Sequence, residues 1–200
     1  ERGIGFVACG VPGGVWGREN GYALMYGGSA EDVAKVQPAF DALKPPGEFG
    51  SVHAGRVGAG HFSKMVHNGI EYAVMQSYAE GWELLQAVDV VDNTTEVFRS
   101  WREGTVIRSW LLDLLVASLD DDPDLASIRG YADDSGEGRW TVEAGIENAV
   151  ATPAITAASI VEAPDLIAAQ NASRTTAGYR TPRCCRSAGI PAALAHCEPV

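Results

Sequence analysis

Short apolar runs separated by glycine and proline dominate the first quarter of the chain. Residues 3–9, 22–28 and 49–55 read GIGFVAC, YALMYGG and FGSVHAG, and each run predicts a short β-strand. Between the last two, apolar residues at helical spacing predict a helix over Ala30–Leu43, with Ser29 as its N-cap. Strands interrupted by a helix indicate an α/β unit.

The pattern changes at residue 61, after which apolar residues recur at helical spacing as far as residue 119. A helix over residues 61–85 would be apolar around most of its circumference, so we expect it to be buried. Breaks are expected at residues 92–93 and near Gly104. The pattern therefore predicts a mainly helical unit after the α/β one.

The next forty residues predict a turn, a loop and a further helix. The acidic segment DDDPDL, residues 120–125, is expected to be a solvated turn. A loop that carries GEGRW, residues 136–140, leads into a predicted helix over residues 141–159, which Pro153 would kink or end.

One face of the helix over residues 61–85 collects the hydrogen-bonding side chains of the segment KMVHNGIEY. They occupy positions i, i+3, i+4, i+7 and i+8, and they are Lys64, His67, Asn68, Glu71 and Tyr72. A solvated face is one interpretation. Such a face usually repeats Glu and Lys, however, whereas this stripe mixes single residues of five types. If the stripe is buried, it must be hydrogen-bonded or hold a ligand.

Composition restricts the partners of the chain more than its fold. The 200 residues are 46% hydrophobic and 20% charged, which allows one good core or two modest ones. The 26 acidic and 15 basic residues give a net charge of −11, which disfavours broad binding to nucleic acids or membrane surfaces but permits a local phosphate pocket. We find no apolar run of bilayer length and no signal peptide, and so expect a cytoplasmic protein.

The two ends of the chain are unusual. It starts with Glu1 and enters a strand-like run directly, so we expect sequence to be missing upstream. Residues 159–200 lose hydrophobic periodicity and crowd arginines, prolines and cysteines, which leads us to expect a tail that is disordered or translated in the wrong reading frame. The four cysteines have no CxxC spacing, so neither a disulfide framework nor a metal site is expected.

Two glycine-rich turns are candidate ligand sites. In VPGGVWGREN, Gly13 and Gly14 follow the first strand, where backbone N–H groups can approach an anion or a carboxylate closely. An ordinary tight turn would use the same residues. The GAG of residues 58–60 precedes a helix but lacks the full GxGxxG pattern, so it does not predict a dinucleotide site.

Taken in order, these motifs resemble those of the 6-phosphogluconate dehydrogenases. The resemblance rests on VPGGVWGRENGYALMYGG, GAGHFSKMVHNGIEYAVMQSYAEGWELL, WREGTVIRSWLLDLL and GEGRWTVEAGIENAVATPAITAA. It implies a mainly α protein: the last α/β part of a Rossmann domain over residues 1–55, the family's all-helical C-terminal domain over residues 56–158, and an atypical tail over residues 159–200.

The family oxidatively decarboxylates 6-phosphogluconate to ribulose 5-phosphate and CO2, with reduction of NAD or NADP. The motifs are closest to a short bacterial subgroup that favours NAD. The main glycine-rich cofactor loop of the family is missing from this chain, so no cofactor-binding residue is assigned. The resemblance also implies a homo-oligomer, either a dimer or a tetramer.

The resemblance gives the polar stripe a chemical role. Lys64 matches the general base that takes the proton of the C3 hydroxyl, and Glu71 matches the general acid that protonates C1 of the enediol. A lysine base must be neutral, which a desolvated pocket favours. Two helical turns separate the two residues by about 10 Å along the axis. The family's remaining substrate contacts fall on Gly13, Gly14, His67, Asn68, Tyr72 and Arg139, with the glycines at the carboxylate and Arg139 at the phosphate.

The chain also departs from the family pattern. Pro12 replaces a family serine, which removes one hydroxyl and one backbone donor from the carboxylate turn. Without a nucleotide-binding half, we do not expect robust turnover from the chain alone. Two other functions stay open: a non-catalytic helical fragment that assembles through apolar surfaces, and a related β-hydroxyacid dehydrogenase.

Overall fold

A computed structural model describes residues 3–123, 125–128 and 135–161. These residues belong to two compact units, of which the first ends at Asn68 and the second begins at Gly69. Helices hold most of the described residues, which confirms the expected mainly α class. The elements are β1 (Ala8–Gly10), a 3-10 helix (Gly14–Trp16), α1 (Gly17–Asn20), β2 (Leu24–Gly27), α2 (Ala30–Leu43), β3 (Ser51–Gly55), α3 (Ala59–Gln86), α4 (Thr94–Ser100), α5 (Trp110–Asp121), α6 (Glu137–Glu147) and α7 (Pro153–Val161).

A three-stranded sheet organises the first unit. Its order is β1-β2-β3, with β2 antiparallel to β1 and parallel to β3. The parallel pair needs a crossover, which α2 supplies. The second and third predicted strands are confirmed, whereas the first is shorter than predicted. Its pairing with β2 begins only at Ala8, so the preceding residues have no hydrogen-bonded neighbour in that ladder.

Helix α2 has the predicted bounds and the predicted N-cap. The Ser29 hydroxyl accepts a hydrogen bond from the backbone N–H of Asp32 at 3.1 Å, because an N-cap side chain satisfies a backbone donor that the first helical turn leaves unpaired. The helix packs Val33 against Leu24 and Tyr26 of β2, and these three side chains form the buried core of the first unit.

Helix α3 begins in the first unit and ends in the second. It extends slightly beyond the predicted residues 61–85 at both ends, and so confirms the predicted helix. The expectation that it is buried is wrong for the described chain: Phe62, Ile70 and Leu84 are 52%, 53% and 66% exposed. In each unit, the elements packed against α3 cover only part of the circumference of this helix, so some of its apolar side chains stay on the surface.

The core of the second unit lies where α3, α4 and α5 meet. Its buried side chains are Trp82, Phe98, Leu112, Val116 and Leu119. Asn93 caps α4 and Ser109 caps α5 through side-chain hydrogen bonds to backbone N–H groups, and Gly104 lies in the connection with a positive φ of 73°. The predicted breaks at residues 92–93 and near Gly104 are therefore confirmed.

Two predictions for the end of the described chain need correction. Residues 137–140 of GEGRW form the first turn of α6 instead of a loop, because the helix already begins after Gly136. Pro153 neither kinks nor ends a single long helix, since α6 ends at Glu147 and Pro153 is the first residue of α7. Proline suits that position because the first helical N–H has no intrahelical partner.

The acidic segment begins within the last turn of α5, and Asp120 and Asp121 are exposed, as expected of solvated residues. Asp120 forms an ion pair with Arg99, and Asp122 accepts hydrogen bonds from the backbone N–H and the hydroxyl of Ser127 at 2.8 and 2.6 Å. These contacts attach part of the segment to neighbouring residues. The predicted atypical tail lies outside the described residues except at its start in α7. Within the described ranges, no helix has both the length and the apolarity needed to span a bilayer.

Candidate functional site

Three residues of the polar stripe interact directly in the first unit. The Lys64 ammonium donates a hydrogen bond to the Asn68 Oδ1 and lies 3.5 Å from the His67 Nδ1, which is itself 3.2 Å from the same Asn68 oxygen. Lys64 and Asn68 are half-buried, whereas His67 is exposed. One helical turn separates the lysine from the other two residues, so the helix itself brings them together.

Glycines let the start of α3 approach the sheet closely. A Cβ on Gly60 would lie 2.3 Å from the Met25 carbonyl oxygen, so only glycine fits between the helix and β2. At the end of β1, a Cβ on Gly10 would lie 2.5 Å from the Lys64 Cβ. The stem of Lys64 is therefore held against the end of the strand, which restricts where its ammonium group can lie.

The glycine turn after β1 also has the geometry that its sequence predicts. Gly13 and Gly14 have φ values of 137° and 54°, a region that side-chain-bearing residues rarely adopt. The Gly13 carbonyl accepts a hydrogen bond from the Gly17 N–H at 3.1 Å. The turn follows Gly10 by three residues, so β1 orients both the turn and the Lys64 stem.

In the second unit, Tyr72 of α3 is held at both ends of its side chain. Its hydroxyl lies 2.8 Å from the Ser135 Oγ, and its ring lies against the backbone of Gly138, where a Cβ would lie 2.5 Å from the Tyr72 Cδ2. The Ser159 Oγ lies beside the same glycine, 3.0 Å from the position of that Cβ. Tyr72 thus has a fixed position at the start of α6.

A second glycine contact lies one turn away on each helix. A Cβ on Gly69 of α3 would lie 2.8 Å from the Thr141 Cγ2 of α6, and Thr141 is 4% exposed. Each helix therefore offers a glycine to a side chain of the other, with Gly69 facing Thr141 and Gly138 facing Tyr72. These two contacts bring α3 and α6 close together at the level of Tyr72.

Glu71 and Arg139 are the remaining predicted site residues. Glu71 is half-buried on α3, next to Tyr72 in the chain, and Arg139 is exposed in the first turn of α6, next to Gly138. The contacts of their neighbours therefore lie at the same helix crossing.

Sequence reasoning missed four residues that position the predicted ones: Gly10, Ser135, Gly138 and Thr141. Each acts through a contact with α3 that involves residues distant in the chain. A glycine or a serine contributes no hydrophobic periodicity of its own. Only the helical spacing between Gly138 and Thr141 in GEGRWT could have suggested that these two residues face a neighbouring helix.

The described residues alone do not fit a dinucleotide. The N-terminus of α2 is closed by Ser29 and carries Glu31 and Asp32, whose carboxylates would repel a pyrophosphate. The glycine turn after β1 leads into a 3-10 helix and the four-residue α1, in place of the long helix that a phosphate site uses. The described part of the chain likewise groups no three His, Cys, Asp or Glu side chains in a way that could hold a metal ion.

Two family models match the chain. The C-terminal domain of 6-phosphogluconate dehydrogenase matches residues 60–184, and the NAD binding domain of 6-phosphogluconate dehydrogenase matches residues 1–46. The first match alone covers more than half of the chain, and it continues beyond residue 158, where the resemblance found in the sequence ended.

Individual relatives agree with these models. An NAD+-dependent, decarboxylating 6-phosphogluconate dehydrogenase of Haloferax volcanii is 40% identical over 151 residues, which are 75% of this chain and 50% of the relative. An NADP+-dependent enzyme of Bacillus subtilis is 36% identical over 166 residues, covering 78% of this chain and 35% of the relative. The chain thus spans half or less of the length of these two proteins.

A solved structure supports the same assignment. The structure of Plasmodium falciparum 6-phosphogluconate dehydrogenase, described as apo and in complexes with its cofactor NADP+ and its substrate 6-phosphogluconate, matches with a TM-score of 0.71 and 28% identity. The match covers 81% of this chain and 36% of that one.

Proposed function

This chain belongs to the 6-phosphogluconate dehydrogenase family, and we propose that it supplies the substrate-binding and proton-transfer groups for the oxidative decarboxylation of 6-phosphogluconate to ribulose 5-phosphate and CO2. We further propose the predicted domain limits, with the Rossmann remnant over residues 1–55, the helical domain over 56–158 and the atypical tail over 159–200. The observation that carries the proposal is the polar stripe of α3, in which Lys64 and Glu71 lie two helical turns apart.

Lys64 is the proposed general base. Its neutral amine takes the proton of the C3 hydroxyl in the step in which C3 loses hydride and becomes a ketone. The resulting ammonium then donates a hydrogen bond to the 3-keto oxygen, which stabilises the negative charge that develops when the C1 carboxylate leaves as CO2. The contact of Lys64 with Asn68 supports this role, because an amide oxygen orients the amine without adding a competing charge.

Glu71 is the proposed general acid for the next step. Loss of CO2 leaves an enediol, and protonation of the carbon that carried the carboxylate gives the C1 of ribulose 5-phosphate. About 10 Å along the helix axis separates this acid from the base, from a rise of roughly 1.5 Å per residue. A six-carbon sugar acid can lie between them.

The remaining stripe residues, the glycine turn after β1 and Arg139 are proposed to bind the substrate. Gly13 and Gly14 would hold the carboxylate through backbone N–H groups, although Pro12 lacks the N–H that most residues would supply there. His67 and Asn68 would contact hydroxyl groups, while Tyr72 and Arg139 would contact the phosphate. An arginine can bind a phosphate through two parallel hydrogen bonds, which favours Arg139 for that role.

The oxidant in the proposed reaction is a nicotinamide cofactor, which accepts the hydride when it is bound. We propose NAD over NADP, because the motifs are closest to the NAD-leaning subgroup. Both cofactors occur among the named relatives. The preference is tested by joining the chain to a complete nucleotide-binding domain and measuring kcat/KM with each cofactor. A higher kcat/KM with NADP than with NAD would contradict the preference.

We also propose that the protein is a homo-oligomer, a dimer or a tetramer, in the cytoplasm. Exposed apolar side chains of α3, such as Phe62 and Ile70, support self-association, because contact with a second copy would remove them from water. Light scattering after size exclusion gives the mass directly. A monomer at micromolar concentration would contradict the oligomer.

A binding measurement tests the proposed function without requiring turnover. We expect 6-phosphogluconate to raise the melting temperature of the chain increasingly as its concentration exceeds the Kd, and gluconate, which lacks the phosphate, to raise it less. Arg139→Ala should weaken binding of 6-phosphogluconate about tenfold or more, since hydrogen bonds to charged groups contribute about 1.5–3 kcal/mol.

Arg108 provides the matched control. It is an exposed arginine of the second unit that pairs with Glu103 at 3.5 Å, so Arg108→Ala removes the same charge away from the proposed site. Equal losses in both variants would show a general charge effect and contradict the phosphate role of Arg139. Absence of any response of the unaltered chain to 6-phosphogluconate would contradict the proposed function itself.

A further inference from the structure

Ser135 interacts with the one tyrosine of the polar stripe from a distance of 63 residues along the chain. We infer that Ser135 is a positioning residue, which orients the Tyr72 hydroxyl so that its proton points to the phosphate of the bound substrate. The inference rests on the proposed function, because it takes the phosphate contact of Tyr72 as given. Neither the periodicity nor the motifs of the sequence assigned a role to Ser135.

The direction of the hydrogen bond follows from the chemistry of the partners. A phosphate monoester carries a charge of about −1.5 to −2 at pH 7, and its oxygens then act mainly as acceptors. The phenol must therefore donate its only proton to the phosphate, which leaves its oxygen to accept a hydrogen bond. Ser135 lies 2.8 Å away and its hydroxyl can turn to donate, so a bound phosphate would complete a hydrogen-bonded chain from serine to phenol to phosphate. Donation by the serine polarises the phenol and strengthens the outer bond.

Gly138 makes this orientation specific. Because the Tyr72 ring lies against its backbone, any Cβ there would come within 2.5 Å of the ring, and the ring cannot tilt further toward α6. The glycine thus fixes the ring and the serine fixes the hydroxyl. Removal of the serine hydroxyl alone leaves the ring contact with Gly138 in place and takes away the hydrogen bond between Ser135 and the phenol.

The test measures the binding of two ligands that differ only in the phosphate. Calorimetric titrations of the full chain with 6-phosphogluconate and with gluconate compare the wild type, Ser135→Ala, Ser135→Thr and the control Ser77→Ala. Ser77 is an exposed serine of α3 whose hydroxyl donates to the Ala73 carbonyl of its own helix at 2.8 Å. We expect Ser135→Ala to raise the Kd for 6-phosphogluconate about three- to tenfold, with gluconate unaffected. Ser135→Thr keeps the hydroxyl, so its Kd for 6-phosphogluconate should stay close to that of the wild type. Ser77→Ala should change neither Kd.

A double-mutant cycle with Tyr72→Phe distinguishes positioning from a structural effect. If Ser135 acts through the phenol, Ser135→Ala has no further effect on the Kd in the Tyr72→Phe background. An equal loss in both backgrounds, or an equal loss for both ligands, would overturn the inference and leave the proposed function intact. A wild-type chain that does not prefer 6-phosphogluconate to gluconate would instead overturn the proposed function, and the inference with it.

Discussion

At the scale of single residues, two glycines of α3 differ in the space around them, and this space decides whether an added methyl group stabilises or destabilises the fold. A Cβ on Gly69 would meet the buried Thr141 at 2.8 Å, whereas a Cβ on Gly81 would have its nearest neighbour, the Phe98 Cζ, at 4.0 Å. In a helix interior, alanine is favoured over glycine by about 0.5–1 kcal/mol. Overpacking costs about 1–3 kcal/mol, so it dominates only at Gly69.

We therefore expect opposite signs from the same substitution. Gly69→Ala should lower the free energy of unfolding by up to about 2 kcal/mol, the overpacking cost less the gain in helix propensity, and Gly81→Ala should raise it by about 0.5–1 kcal/mol. Urea titrations followed by circular dichroism give both values. A stabilised Gly69→Ala variant would show that α3 and α6 are less closely packed than the contact implies.

Cys9 supports a prediction about reactivity. Burial raises the pKa of its thiol, an effect that a hydrogen bond from the Met25 backbone partly offsets. Because the thiolate is the nucleophile, Cys9 should react with iodoacetamide at pH 8 about threefold or more slowly than glutathione. Mass spectrometry of the peptide that contains Cys9 follows the reaction. Unfolding in guanidinium should abolish the difference, and equal rates in the folded protein would contradict it.

Residue types and spacing predicted the α3 stripe, because its members follow one another in a single helix. Lys64, His67 and Asn68 do interact as neighbours on that helix. The partners of Tyr72 could not be predicted in the same way. Ser135 and Gly138 reach it only after the chain has passed through two further helices, and such long-range contacts depend on packing that sequence spacing does not encode.

At the scale of elements, the start of α2 carries a paired cap. The Ser29 hydroxyl donates to the Asp32 Oδ2 at 2.8 Å while it accepts from the Asp32 N–H, and Lys35 lies beside the same carboxylate. These hydrogen bonds hold the pKa of Asp32 below its ordinary value, with Ser29 the larger cause. The cap thus depends on the ionised carboxylate.

Ser29→Ala should lower the free energy of unfolding by about 1 kcal/mol at pH 7, the usual effect of losing an N-cap. A lowered carboxyl pKa contributes stability that is present above the ordinary pKa, about 3.9, and is lost as the pH falls through the lowered value. The difference between wild type and variant should therefore shrink below about pH 4. Urea titrations across this range measure it.

Ser118→Ala is the control for that experiment. Ser118 lies inside α5 and donates to the Leu114 carbonyl of its own helix, so alanine there should be neutral or slightly stabilising. If both variants lost the same stability, or if the Ser29→Ala difference stayed constant into acid, the capping explanation would fail.

Elements with strong local signals had predictable bounds, as α2 and α3 demonstrate. The prediction failed where two signals competed. The periodicity of residues 141–159 continued past Pro153, whereas the chain ends α6 at Glu147 and passes through Ala149 with a positive φ of 54° before α7 begins. Within one continuous helix, Pro153 would clash with the Ala149 carbonyl and leave it without a hydrogen-bond donor, and this local constraint outweighed the apolar period.

At the scale of the whole molecule, the two units have separate buried cores, as the length of the chain allowed. Phe98 is fully buried in the second core, while Phe49 is 84% exposed. Phe98→Ala should cost about 3–5 kcal/mol, a large fraction of the stability of a typical domain. Phe49→Ala removes the same atoms from the surface and should change stability by no more than about 0.5 kcal/mol.

Hydrogen exchange with mass spectrometry resolves where that stability is lost. In Phe98→Ala, we expect faster exchange in α4 and α5, which contribute the fully buried side chains of that core. Unchanged exchange in these helices would show that the second core tolerates the cavity. The sequence predicted an α/β unit followed by a helical one, but it could not predict which apolar side chains stay exposed, because burial depends on neighbours from distant segments.

The two ends of the polar stripe also differ in when they can form. The Lys64 cluster needs only α3 and the β1 strand that precedes it in the chain, so it can form as soon as α3 leaves the ribosome. The hydrogen bond between Tyr72 and Ser135 spans 63 residues, which at about 5–20 residues per second take about 3–13 s to synthesise. During that interval a nascent chain holds the lysine arrangement without the tyrosine arrangement. A biosynthetic arrest before residue 135 would therefore give a chain with its proposed base in place and its proposed phosphate contact still unformed.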